Sequence, residues 1–198
     1  MKKLLYTIII VCIFIMLIGC QQQEESNEGG PLDGLFQGLD LSYNEYKYIF
    51  EDVVQRGKSM NVDNGLEKWV IRALGDEKLT NKRDLTKEEA TKQAEYAKSY
   101  YEALEEVSEE KYNISISDAE LDEWISNGPD QHEFPQQRAY AEALGLTVKQ
   151  LNHEYDKDLY HQTVLYERLI PVLQKEYGTQ DGEILREKFH KEVEDAMK

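Results

Sequence analysis

The chain has 198 residues, with 39 acidic against 23 basic side chains and two cysteines. A formal charge of -16 excludes a sequence-independent grip on nucleic acid, which needs clustered Lys and Arg to neutralise phosphate. Two cysteines cannot staple a miniprotein, and without histidine partners they cannot hold a structural zinc.

Lys2 and Lys3 form a short basic start, and Leu4 to Ile18 follow without a charge. Such a run falls short of the about 20 apolar residues that span a bilayer, and it reads as an export signal over residues 1–19. It ends in Leu17-Ile18-Gly19-Cys20, which resembles the lipobox of bacterial lipoprotein signal peptides. That resemblance implies cleavage before Cys20, diacylglycerol on its thiol and a lipid anchor in the cell membrane, with the body on the extracytoplasmic face. The alternative is an uncleaved N-terminal anchor with an incidental cysteine. Cys12 and both lysines would leave with the signal, so the mature body would be more acidic still and free of internal disulfides. More than one acyl chain would hold it, because a single chain binds only marginally at about 0.8 kcal/mol per buried methylene.

Residues 20–34 include Gln21 to Gly34, polar and Gly-rich with one large apolar residue. They cannot bury enough surface to fold and read as a tether with a reach on the order of 20 Å. Helix patterns follow. Ser42-Tyr43-Asn44-Glu45 is a capping box, and Tyr46, Ile49, Phe50 and Val53 make an apolar stripe that Gly57 would end. Asp63-Asn64-Gly65 lacks the spacing of a calcium loop and reads as a turn before a second helix from about Leu66, carrying Val70, Ala73 and Leu74 and ending near Gly75 or a little later. Thr86 to Glu89 caps a longer helix whose small residues Ala90, Ala94 and Ala97 precede Tyr101 and Leu104 and imply close approach at one end; it should stop near Lys111.

Asn113 to Ile116 alternate as a short strand or an extended linker. Ser117 to Glu120 open a short helix that Gly128-Pro129 ends, and Pro135 starts another that stops at Gly145. Thr147 to Gln150 cap a long helix to Gly178, which Pro171 should kink or divide. An amphipathic tail helix with Leu185, Phe189, Val193 and Met197 occupies 179–198. Four capping boxes and almost no alternation predict an all-α, multi-helix fold, with one module over 35–178.

The order of these motifs resembles the N-terminal helical domain of SurA-type and PrsA-type extracytoplasmic chaperones. The likeness rests on Ile116-Ser117-Asp118-Ala119-Glu120-Leu121-Asp122, on Ala143-Leu144-Gly145-Leu146-Thr147-Val148-Lys149-Gln150-Leu151, on the long helix after it, and on Phe36 to Tyr46 upstream, where Gln37 replaces an Asn. Foldases of this family carry a parvulin prolyl-isomerase domain after the long helix, and here only 179–198 follow Gly178. The resemblance therefore implies a chaperone-like holdase or assembly factor for exported polypeptides, without isomerase activity.

No nucleophile elbow, phosphate-cradling loop or activated Ser or Cys is present, so no enzyme, cofactor or small-molecule substrate is expected. His153 and His161 lie about 12 Å apart along one helix, too far to share a metal unaided, and Glu154, Asp156 and Asp158 between them read as a solvated face. The thirteen tyrosines are the oddity. Tyr96, Tyr100, Tyr101, Tyr140, Tyr155, Tyr160 and Tyr166 are candidates for a groove that binds extended client chains; each singly is equally a half-buried core or rim residue. The competing reading is a structural or interaction lipoprotein, such as a spore-envelope or complex-assembly component, that binds one specific partner. A broad aromatic cleft would favour the chaperone, and tightly packed long helices the single-partner protein.

Overall fold

A computed structural model describes residues 39–198, so the segment 1–19, Cys20, the tether and Phe36 to Gly38 lie outside the described residues. The fold is all-α, with eight helices and no strand among the described residues. They are α1 (Tyr43–Ser59), α2 (Asn64–Thr80), α3 (Lys87–Glu110), α4 (Asp118–Asn127), α5 (Pro135–Leu144), the single turn α6 (Val148–Gln150), α7 (Lys157–Tyr177) and α8 (Gly182–Ala196). A 3-10 turn, Pro129–Gln131, precedes α5, and a π turn, Leu151–Tyr155, joins α6 to α7.

Local chemistry sets most helix ends. Ser42, Thr86 and Thr147 each close a reciprocal box, with the hydroxyl accepting from the third amide and the Glu or Gln side chain accepting from the cap's own amide. At Ser117 only the first half forms, because the Glu120 carboxylate turns to Arg168 instead. Gly145 and Gly178 end α5 and α7 at φ +76 and +66, a region that costs an L side chain about 1 kcal/mol or more.

Two elements differ from the sequence expectation and two settle alternatives that it left open. Gly57 does not end α1, which runs on to Ser59; it is buried where α1 meets α2, and a Cβ there would lie 2.4 Å from Ile71 Cγ1. α2 likewise continues past a buried Gly75 to Thr80. Asn113 to Ile116 form a linker: the Ile114 amide donates to the Ser108 carbonyl at 2.9 Å, and Ile114 and Ile116 pack inward. Pro171 does not divide the long helix, which runs unbroken from Lys157 to Tyr177. It lies on an exposed face beside Glu167 and Ile170, where water can take the carbonyl a proline leaves unserved. The interruption falls earlier, at the π turn and Asp156.

Two main cores share α3. In the first, Ala90, Ala94 and Ala97 let α3 approach α2 and meet Val53, Trp69, Val70 and Leu74, with α5 closing the layer through Ala139 and Tyr140. In the second, Tyr100, Ala103 and Leu104 meet Leu165, Leu169 and Leu173 of α7 and Leu185, Phe189 and Val193 of α8. The tail helix therefore packs on the body: Phe189 and Val193 are fully buried. A small third cluster seats Leu121 and Ile125 of α4 against Tyr160 and Val164 of α7. No helix among the described residues is long and apolar enough to cross a membrane.

Candidate binding pocket and its buried ion cluster

Arg72 lies on α2 among Trp69, Val70, Ala73 and Leu74, and it is fully buried. A guanidinium there is tolerable only if most of its donors are met, and of its three nitrogens Nε alone is buried without a partner. Arg72 Nη2 donates to Asp158 Oδ1 at 2.7 Å, to the Tyr155 carbonyl at 2.8 Å and to Asp156 Oδ1 at 2.9 Å, while Nη1 donates to Asp158 Oδ2 at 2.8 Å. Lys68 Nζ adds a bond to Asp158 Oδ2 at 2.6 Å. The rings of Trp69 and Tyr155 flank the guanidinium at 5.0 and 5.6 Å, a favourable placement for a cation over a π face.

The electrostatics separate the two carboxylates. Burial lowers the affinity of Arg72 for its proton, but its bonds and charges with Asp158 and Asp156 outweigh this and raise its pKa. Burial pushes the Asp156 carboxyl up, and Arg72 only partly opposes it. For Asp158 burial acts in the same direction, yet Arg72 and Lys68 overcome it and hold the group below its ordinary value.

These aspartates correct the expectation of a solvated face. Glu154 is exposed, whereas Asp156 is 4 % exposed. The π turn widens the helix before Asp156, where the backbone leaves helical geometry at φ -102, ψ 11, and the two carboxylates after it face α2. π turns of this kind recur at functional sites. The signal available in the sequence was Arg72 itself, a charge set in the middle of an apolar stripe.

Beside the cluster opens a pocket of about 400 Å³, in the size range of natural ligand sites. Leu39 and Leu41 before α1, Tyr46 and Phe50 of α1, Phe134 and Pro135 at the start of α5, Tyr140 of α5, Leu151 of the π turn and Leu159 and Tyr160 of α7 form its apolar wall. Phe134 is 55 % exposed and marks the rim; Asp156 and Leu151 lie at the deep end. The Tyr46 hydroxyl donates to the Leu39 carbonyl at 2.6 Å and fixes the segment entering α1. Gln137 Nε2 donates to the Tyr160 hydroxyl at 3.0 Å, which donates to Asn152 Oδ1 at 3.0 Å, while Gln137 Oε1 is buried without a partner.

The seven tyrosines do not share one cleft. Tyr140 and Tyr160 line this pocket, and Tyr155 packs edge-on against Tyr140. Burial raises the phenols of Tyr155 and Tyr160 to about 12. Tyr101 belongs to a separate polar hollow, bonded to Glu105 and to His161 Nδ1 at 3.0 Å. Tyr100 is buried and shares bonds of 3.0 Å with the Tyr166 hydroxyl and with His190 Nδ1; Tyr96, 40 % exposed, donates to Glu194 of α8. His153 bridges Asp130 and Asp122, so the two histidines serve separate networks. No group of three or more His, Cys, Asp or Glu that could hold a metal occurs among the described residues.

Compared with known proteins, the chain matches no family model, no curated protein and no solved structure.

Proposed function

We propose that this is a lipid-anchored, extracytoplasmic binding protein of chaperone-like or assembly type. It is tethered through Cys20 and holds an apolar segment of an exported polypeptide in the pocket between α1, α5 and α7, without a chemical step. The observation that carries the reading is the pocket itself: about 400 Å³ with walls of Leu, Phe, Pro and Tyr, an exposed Phe134 at its rim and a few polar groups at its deep end. That volume holds a few side chains, not an extended chain. The SurA-like and PrsA-like order of motifs over Ile116 to Leu151 supports the chaperone side, and the lipobox-like Leu17 to Cys20 supports the anchor and the membrane location.

The burial of Tyr100, Tyr140 and Tyr160 favours a second reading beside it, a protein that engages one specific partner through this single pocket. Photo-crosslinking from position 134 of the full-length protein in intact cells separates the two. Many exported polypeptides captured there support the holdase, and one dominant adduct supports the dedicated partner. If the detergent-solubilised full-length protein also fails to slow aggregation of a reduced, unfolded model protein, the holdase reading falls. The anchor is tested by metabolic labelling with an alkyne fatty acid, which Cys20→Ala should abolish while shifting the protein from the membrane to the soluble fraction; retention of label would overturn it.

A further inference from the structure

The apolar wall suits apolar groups, but the pocket also carries a carboxylate and no cationic side chain. Asp156 lines the pocket, and its Oδ1 is occupied by Arg72 while Oδ2 has no hydrogen-bond partner among the described residues. Gln137 lines the same pocket, and its buried Oε1 has no partner. The Tyr160 hydroxyl already accepts from Gln137 and donates to Asn152. The Asp156 carboxylate and Gln137 Oε1 therefore accept into this space, the Tyr140 hydroxyl, buried there without a partner, can accept as well as donate, and no Lys, Arg or His lines the pocket.

Packing does not require this arrangement. A buried carboxylate paired with Arg72 contributes little net stability compared with apolar residues of the same volume, and an acceptor left dry costs about 1–3 kcal/mol. The π turn that places Asp156 here also gives up regular helical hydrogen bonding. Such costs gather where recognition needs them. The net charge of -16 favours encounter with cations over anions.

We propose that the pocket selects an apolar group that carries an amine, with Asp156 and Gln137 accepting from the nitrogen and Phe50, Phe134 and Tyr140 enclosing the carbon skeleton. In an exported polypeptide this is a basic, hydrophobic segment that presents a lysine or an amino terminus beside large apolar side chains. The proposal rests on the pocket being the binding site proposed above, and it adds the head group that the site reads.

The test uses three probes that share one ring and a three-carbon chain and differ in head group: 3-phenylpropan-1-amine, 3-phenylpropan-1-ol and 3-phenylpropionate. Each is titrated into the detergent-solubilised full-length protein while the amide resonances of Gln137, Tyr140 and Tyr160 are followed. The amine should bind about tenfold more tightly than the alcohol and shift these resonances, and the carboxylate should bind least. Asp156→Asn should bring the amine close to the alcohol. Because that variant disturbs the Arg72 cluster, Gln137→Met serves as a second one that leaves the cluster intact; it should narrow the amine-to-alcohol ratio by a few fold, which a purely structural role would not do. Equal binding of all three probes, or preference for the carboxylate, overturns the head-group assignment while the pocket stands. No binding by any probe overturns both.

Discussion

Along α3, Ala90, Ala94 and Ala97 face a core that contains Arg72 and two aspartates beside a hollow of about 400 Å³, whereas Tyr100, Ala103 and Leu104 face one filled by leucines, Phe189 and Val193. The second core holds no ion pair among its buried residues: the Tyr100 hydroxyl bonds both Tyr166 and His190, and the Tyr112 hydroxyl donates to Glu192 at 2.7 Å. Close-packed apolar side chains of this kind contribute most of a domain's stability. An ion cluster contributes little net, but it fixes geometry, since the Nη donors of the buried guanidinium must stay aimed at their carboxylates. The comparison teaches a division of labour: the second core holds α7 and α8 on α3, and the first holds a pocket open against collapse.

Removing the centre of each core should give losses of similar size and opposite pH character. Arg72→Leu leaves Asp156 buried without a cation and Asp158 with Lys68 alone, and should cost about 3–5 kcal/mol at neutral pH. Phe189→Ala leaves a cavity and should cost about 3–5 kcal/mol. In Arg72→Leu the Asp156 carboxyl, left without its cation, prefers to be protonated, so lowering the pH towards 4.5 stabilises the variant while the wild type keeps its Asp158 pairing, and the gap between them narrows. The Phe189→Ala deficit should not change with pH. Urea denaturation at pH 7 and pH 4.5 measures both; a pH-independent Arg72→Leu deficit would remove the ion cluster from the comparison.

Within the first core the two aspartates should differ. Asp158 is held below its ordinary value, so its contribution is present above about pH 4, the usual carboxylate range, and is lost as the pH falls through its folded value. Asp156 is raised, so its ionised form opposes folding and that opposition is relieved as the pH falls through its folded value. Asp158→Asn should therefore cost roughly 2–3 kcal/mol at pH 7, because it breaks charge-assisted bonds to Arg72 and Lys68, and Asp156→Asn roughly 1 kcal/mol. Equal losses at pH 7 would show that the two carboxylates are interchangeable partners of Arg72 and would sink the assignment of Asp156 to the pocket.

The sequence carried the second core and the helix ends openly. Leu185, Phe189 and Val193 repeat at one helical face, and Ser42, Thr86, Thr147, Gly145 and Gly178 act through neighbours three or four residues away, which periodicity and capping chemistry can read. The pocket was legible only in fragments: Tyr140 and Tyr160 were singled out, but as members of a long groove that also took in Tyr96, Tyr100 and Tyr166. Those three lie against or under α8 instead, Tyr96 and Tyr100 from α3 and Tyr166 from α7, while the next tyrosine of α3, Tyr101, turns to His161. Arg72 and its aspartates were missed because their pairing spans |i−j| of 84 and 86. A local pattern of acids reads as solvated until a distant helix delivers the cation. The π turn was hidden for the same reason, since Leu151 to Tyr155 continue a regular helical pattern on paper.

The smallest effect tests how closely the first core's frame is set. Gly57 of α1 lies against Ile71 of α2, the residue next to Arg72, and a Cβ at position 57 would sit 2.4 Å from Ile71 Cγ1 and 3.5 Å from its Cα. Gly57→Ala gains about 1 kcal/mol of helix propensity but overpacks by about 1–3 kcal/mol, so a net loss near 1 kcal/mol is expected. Ile71→Ala removes the clashing carbon and leaves a cavity, and by itself should cost about 2–5 kcal/mol. Combined, the added methyl occupies space that the lost side chain vacated, so the double variant should be more stable than the sum of the single losses by roughly 1 kcal/mol. Thermal unfolding of the four proteins in this cycle measures that coupling. Strict additivity would mean that α1 and α2 can separate without strain, and the frame that holds Phe50 and Tyr46 in the pocket wall would then owe nothing to the glycine.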